Sequence, residues 1–215
     1  MKRYPVRPGD MRRVRVEGTA AGVPTSATAV VVNLTAVRPG ERGWIRAIPC
    51  DQRRTPTVSN LNVGAGEVVA NSAIVKLSAG GDICLQSNIV TDMVVDVTGY
   101  HPAGSDFTAR VPFRLFESRA GKQTGDGRQQ ALGRRRAGQV SEVIVGGRAG
   151  VPTDANAVVV NVTAIRPGTD GYATVFPCGS AQPLASTLNF AAGQVVANGA
   201  TVQMGTNGRI CVYTH

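Results

Sequence analysis

Apolar and polar residues alternate with period two along several short stretches of the chain. Val30, Val32, Leu34 and Ala36 fall on one face, with Val31, Asn33, Thr35 and Val37 on the other. The order returns at Val158, Val160, Val162 and Ala164 against Val159, Asn161, Thr163 and Ile165. One wholly apolar face with this period predicts strands laid against a core. Met93, Val95 and Val97 alternate with Asp92, Val94 and Asp96 in a further strand. Gly and Pro turns separate these runs, and no helix of three turns is evident.

The repetition extends well beyond one strand. Gly22-Val23-Pro24-Thr25 through Asn33-Leu34-Thr35-Ala36 recurs as Gly150-Val151-Pro152-Thr153 through Asn161-Val162-Thr163-Ala164, a shift of 128 residues. Gly43-Trp44 becomes Gly171-Tyr172, Pro49-Cys50 becomes Pro177-Cys178, and Ile83-Cys84 becomes Ile210-Cys211. Across residues 22–88 and 150–215, 33 of 66 aligned pairs are identical, which composition alone cannot produce. Thr91–Tyr100 follows copy one without a counterpart after copy two, and Val111–Arg119 precedes copy two without a counterpart before copy one. The expected organisation is repeat one over 1–102 without its opening strand, a linker over 103–110, and repeat two over 111–215 without its final strand. Collecting both copies predicts about eight short strands per complete unit. Two packed antiparallel sheets per unit, a Greek-key or jelly-roll sandwich, is the natural solution, with a trefoil or small barrel as the alternative. Residues 118–138, with five glycines, read as a long mobile loop.

Composition supports the all-β reading: 31 Val stand against 8 Leu and 8 Ile, the reverse of a helical bundle. No run approaches the roughly 18 apolar residues of a membrane-spanning helix. The four cysteines, Cys50, Cys84, Cys178 and Cys211, are spaced by 34 and 33 residues within the two copies. Two bridges, Cys50–Cys84 and Cys178–Cys211, are the simplest pairing, each stabilising its unit by roughly 3–4 kcal/mol in the chain-entropy account. Disulfides imply an oxidising compartment, hence an extracellular or cell-surface protein. Met1-Lys2-Arg3-Tyr4-Pro5 leads into no apolar signal segment. The favoured reading is a fragment of a longer secreted chain; a misassigned start or reduced cysteines are the alternatives.

The net charge is +9, and 20 of the 23 basic residues are Arg. Arg12 and Arg13 belong to an N-terminal cluster, and Arg134, Arg135 and Arg136 form a run; these are candidate contacts for a polyanion. No aromatic platform is interleaved with them, which disfavours nucleic acid. A solvated charged surface is the plainer reading.

Taken in order, Arg114-Leu115-Phe116-Glu117-Ser118-Arg119, the Gly150–Ala164 block, Pro177-Cys178, Leu188-Asn189-Phe190, Val196-Ala197-Asn198 and Val94–Tyr100 carry a resemblance. The pattern resembles a tandem repeat of secreted proteins of high-GC Gram-positive bacteria. Such repeats are appended to peptidases and other hydrolases, and their opening usually reads R-L-L-D-T-R. The resemblance implies a noncatalytic surface or accessory role.

Catalytic constellations are poorly supplied. His101 lies in the linker and His215 at the end of copy two, so a nucleophile has no mid-domain imidazole. No zinc-ligand spacing or cofactor motif is present, and Ala79-Gly80-Gly81-Asp82 reads as a hairpin turn. The expectation is a non-enzyme without cofactors. Trp44, Arg46 and Tyr172 are the candidate ligand contacts, because alternation places them on a face opposite Ile45 and Ala47, or Ala173 and Val175. A spacer or adhesion unit for cell-wall polymer or polysaccharide is the first functional reading. A basic polyanion-binding module and an accessory segment of a secreted hydrolase are the alternatives. The missing final strand of copy two further predicts an open sheet edge available for self-association.

Overall fold

The computed structural model describes residues 6–52 and 57–215. It is all-β, with thirteen strands and no helix among the described residues, so none is long and apolar enough to cross a membrane. The chain divides into two compact units, one ending at Pro112 and the next beginning at Phe113. The first contains β1 (Arg12–Arg15), β2 (Ala27–Val37), β3 (Gly43–Pro49), β4 (Leu61–Val63), β5 (Val68–Lys76), β6 (Asp82–Ser87) and β7 (Asp92–Pro102). The second contains β8 (Gln139–Ile144), β9 (Ala157–Ile165), β10 (Gly171–Pro177), β11 (Leu188–Phe190), β12 (Val195–Gln203) and β13 (Arg209–Thr214).

In the first unit a four-stranded sheet, β1-β6-β3-β4, packs against a three-stranded sheet, β5-β2-β7, and every pairing is antiparallel. The apolar face of β2 fills the space between them. Val30, Val32, Leu34 and Ala36 are at most 1% exposed. Val30, Val32 and Leu34 meet Ala47, Ile83 and Leu85 of the opposite sheet, and Met93, Val95 and Val97 of β7 pack against the same cluster. At about 25 cal/mol per Å² of apolar surface, this layer is the main stabilising element of the unit. The turn at Ser78–Asp82 carries the chain from one sheet to the other; it does not close the hairpin expected there, because β5 and β6 lie in different sheets.

The second unit has the corresponding four-stranded sheet, β11-β10-β13-β8, but its other sheet has only β12 and β9. The β9–β12 register runs Ile165↔Val195 to Ala157↔Gln203, as Val37↔Val68 to Ala29↔Lys76 does in the first unit. Val158, Val160 and Val162 pack on the core yet remain only half-buried, whereas their counterparts on β2 are sealed by β7. Among the described residues the first unit has seven strands, in keeping with about eight per complete unit less the opening one, and the second has six, one fewer than the loss of its final strand accounts for.

Part of the shortfall lies in Val111–Arg119, which forms no strand. Leu115 and Phe116 pack on the core, while Glu117 is buried and paired with Arg114 at 3.1 Å and Arg119 at 2.7 Å. Nor is the following glycine-rich segment unattached. Arg148, with its side chain 1% exposed, binds Asp126 at 2.8 Å through both Nε and Nη2 and also donates to the carbonyls of Leu115 and Ile144. Gln129 Nε2 donates to Glu142 O and Gln129 Oε1 accepts from Ile144 N–H, which fastens the segment to β8. Buried ion and hydrogen-bond pairing here replaces a ladder.

The hydrogen bonds from Arg148 hold the Asp126 carboxyl well below the usual carboxylate range. Burial pushes the Glu117 carboxyl up, but the Arg119 hydrogen bonds and the charges of Arg119 and Arg114 outweigh it, and its pKa lies below normal. Depressed carboxylates contribute stability that is present above their unfolded pKa and lost as pH falls through the folded one. Asp126→Asn is therefore expected to melt below the parent protein at neutral pH, with the gap closing as pH falls below about 4. Thermal unfolding across that range checks this, and a gap independent of pH would contradict it.

Candidate functional site

The face of each four-stranded sheet turned away from the core carries the candidate contacts. On β3, Ile45 and Ala47 are fully buried toward the core, so Trp44 and Arg46 share the opposite face. The Arg46 guanidinium lies 4.6 Å from the Trp44 ring centroid, a cation–π contact. Its Nε also donates to Gln86 Oε1 on β6 at 2.8 Å, and burial pushes the Arg46 pKa down. Trp44 and Arg46 are both half-buried, so the stacked pair presents one side to solvent.

A glycine makes the approach of the neighbouring chain possible. A Cβ on Gly43 would lie 2.6 Å from Ile89 Cγ2 and 2.7 Å from Asn88 Oδ1. That Asn88 oxygen accepts the Trp44 N–H at 2.7 Å, and Ser87 Oγ donates to Trp44 O at 3.1 Å. In the second unit a Cβ on Gly171 would meet His215 O at 2.5 Å, where His215 N–H donates to Tyr172 O at 2.9 Å.

Tyr172 occupies the place of Trp44 and has different neighbours. Its ring stacks on His215 with centroids 4.8 Å apart and planes at 22°, and tilts against Tyr213 at 6.0 Å and 46°. The result is a row of three rings, with Tyr172 and Tyr213 half-buried and His215 exposed. Sequence reasoning singled out Tyr172 but missed Tyr213 and His215. Both become visible only once β13 is set in register beside β10, with Thr174 opposite Tyr213. Further along this face the disulfides close the surface. Cys50–Cys84 and Cys178–Cys211 are both formed; Ile48 is fully buried, and Phe176 packs with Cys178, Cys211 and Tyr213. The exposed aromatic surface is thereby limited to the end of the sheet away from the bridge.

Side-chain contacts from the preceding loops fix the same region. Asn60 Oδ1 accepts from Ala47 N–H at 2.8 Å, and Thr187 Oγ1 accepts from Val175 N–H at 2.9 Å. Asn71 Nδ2 donates to Asn60 O at 2.6 Å, and Asn198 Nδ2 to Thr187 O at 2.7 Å. The two units use one device to bind the loop before β4 or β11 to both sheets.

The basic residues are placed otherwise. Arg12 and Arg13 lie on the edge strand β1. Arg13 binds the buried Asp82 at 2.9 Å, and Arg15 approaches the same carboxylate at 3.7 Å. Arg134 donates to Arg166 O at 3.0 Å, and Arg135 to the carbonyls of Gly133 and Leu132. Arg136 is exposed, and its backbone N–H donates to Gln139 Oε1. Arg13, Arg134 and Arg135 thus have fixed partners within their units. Among the described residues no three of His, Cys, Asp and Glu gather as a metal site would require. No family model, curated protein or solved structure matches the chain.

Gly43→Ala is expected to destabilise the first unit by about 1–3 kcal/mol, because Ile89 is buried and cannot yield space. Gly40, with no atom within 4 Å of its added Cβ, is the control. Equal melting shifts for the two variants would contradict the close-approach argument.

Proposed function

We propose that the chain is a noncatalytic extracellular binding module that holds cell-wall polymer or polysaccharide on the outer faces of its four-stranded sheets. The observation that carries this reading is the row Tyr213–Tyr172–His215, set where the first unit places Trp44 over Arg46. Half-exposed aromatic rings beside polar groups are suited to covering the apolar face of a sugar ring while neighbouring donors reach its hydroxyls. Two weak sites in one chain gain effective concentration for a polymer that offers many equivalent positions. The two disulfides suit an oxidising location, and the rigid, bridged sheets suit a module that must keep its face presented. The same module can serve a hydrolase as an accessory segment.

The second reading, polyanion binding through Arg12, Arg13 and Arg134–Arg136, is favoured by the exposure of Arg12, Arg134 and Arg136. It is weakened by the carbonyls and carboxylate that already engage Arg13, Arg134 and Arg135.

Pull-down of the non-reduced protein onto insoluble cell walls and polysaccharides across a salt titration tests both. The aromatic reading expects retention at about 1 M salt, where the screening length is about 3 Å. It also expects Trp44→Ala or Tyr172→Ala alone to weaken retention by about tenfold or more through lost avidity. Retention that vanishes with salt and with replacement of Arg134, Arg135 and Arg136 would transfer the function to the Arg groups. Absence of binding at any salt would leave a spacer.

A further inference from the structure

The edge strands β1 and β8 are each entered through a turn that the two units share. β1 pairs with β6 as β8 pairs with β13, so that Arg13 stands opposite Cys84 and Glu142 opposite Cys211. Counting back from Arg13 and Glu142 sets Arg7-Pro8-Gly9-Asp10-Met11 beside Arg136-Ala137-Gly138-Gln139-Val140. Only Arg and Gly are common to the two segments, but their hydrogen bonds are the same. Asp10 N–H donates to Arg7 O at 3.0 Å, and Gln139 N–H to Arg136 O at 3.1 Å. In return Arg7 N–H donates to Asp10 Oδ2, and Arg136 N–H to Gln139 Oε1, each at 3.1 Å. Gly9 at φ 86° and Gly138 at φ 79° take the left-handed third position of the turn.

Each turn leads onto the outer face that carries the aromatics. Val140 lies opposite Tyr213, and Gly138 N–H donates at 2.8 Å to the carbonyl of Thr214, the residue before His215. One step beyond the Arg12↔Leu85 pair, Met11 falls opposite Gln86, the acceptor of Arg46. Further along each edge strand the charges are neutralised, Arg13 by Asp82 and Glu142 by Arg209. Arg134 and Arg135 are held by carbonyls. Arg7 and Arg136 are different. Both are exposed, and among the described residues neither side chain has an ion-pair or hydrogen-bond partner.

A polymer lying across the rings of the second unit meets this edge one strand spacing, about 4.8 Å, beyond Tyr213. An arginine fork binds two oxygens of a carboxylate or phosphate at once. We infer that Arg7 and Arg136 hold anionic substituents of the saccharide laid on the aromatic faces, which makes the ligand an acidic polymer. The assignment rests on the aromatic reading proposed above and adds the class of sugar. The turn with its arginine is what the two faces keep in common while their rings differ.

One glucan backbone in three forms tests this on the full, non-reduced chain: dextran, carboxymethyl dextran and phosphorylated dextran. At least one anionic form is expected to bind about tenfold more tightly than dextran at about 0.1 M salt, as a hydrogen-bonded charge contributes. The form preferred identifies the anion as carboxylate or phosphate. Arg7→Gln with Arg136→Gln is expected to bring that preference within about twofold while dextran binding stays unchanged. Both turns are capped through backbone N–H groups, so the side-chain change leaves them intact. An equal loss of charge from the exposed Lys122 and Arg128 is expected to keep the preference. Trp44→Ala or Tyr172→Ala is expected to weaken all three polymers alike. Equal binding of charged and neutral forms that still depends on Trp44 and Tyr172 would overturn the assignment and leave the aromatic reading standing. A preference that survives Arg7→Gln with Arg136→Gln, or falls as much with Lys122→Gln and Arg128→Gln, would overturn it by making the charge a property of the whole surface. Anionic binding indifferent to Trp44 and Tyr172 would overturn both readings. Absence of binding to all three polymers would overturn the assignment, while the pull-down onto cell walls still decides the aromatic reading.

Discussion

Cross-strand pairing on both sides of one central valine-rich strand is the constraint on which the rest of the molecule depends. A strand whose apolar face is buried needs its backbone groups paired and its flanks covered at the same time. β2 meets both conditions, because β5 and β7 saturate its two edges and bring their own apolar residues to the same layer. The opposite sheet then closes over a sealed core, and the disulfide and the Asn60–Asn71 contacts fix the sheet ends. β9 has nearly the same residues, but among the described residues a strand pairs with it on one side only. Its valines stay half-buried, and the second unit relies instead on the Arg148–Asp126 and Glu117 ion pairs to hold its own flanking segment. Buried pairs of this kind are exacting more than strongly stabilising, since losing one partner strands the other.

Much of this was legible in the sequence because strand period and repetition are local signals. The alternation at Val30–Ala36 identified the buried face, and the matched spacing of Cys50 and Cys84 with Cys178 and Cys211 identified pairs that the structure joins. What escaped was set by partners distant in the chain. The pairing of Arg148 with Asp126, 22 residues apart, leaves no local signal in the sequence. The extended look of Val111–Arg119 suggested a strand, but its backbone groups bond to scattered partners in the glycine-rich segment and to Arg148, so no regular ladder forms. Tyr213 and His215 gain meaning only through the β10–β13 register.

The outer faces show why one scaffold can carry different contact chemistry. The glycine before the aromatic and the disulfide recur in both units. The residues between them change from Trp44, Arg46 and Gln86 to Tyr172, Thr174 and Tyr213. A substitution there alters the exposed surface without disturbing the core, because side chains on the two faces of a strand are independent in packing.

Amide hydrogen exchange resolved by residue reads the difference between β2 and β9 in the chain at low concentration. Slow exchange is predicted along the whole of β2, with fast exchange at every second amide of β9, those that do not face β12. Equal protection along both strands would contradict the central claim that two nearly identical valine-rich strands are paired on two sides in one unit and on one side in the other.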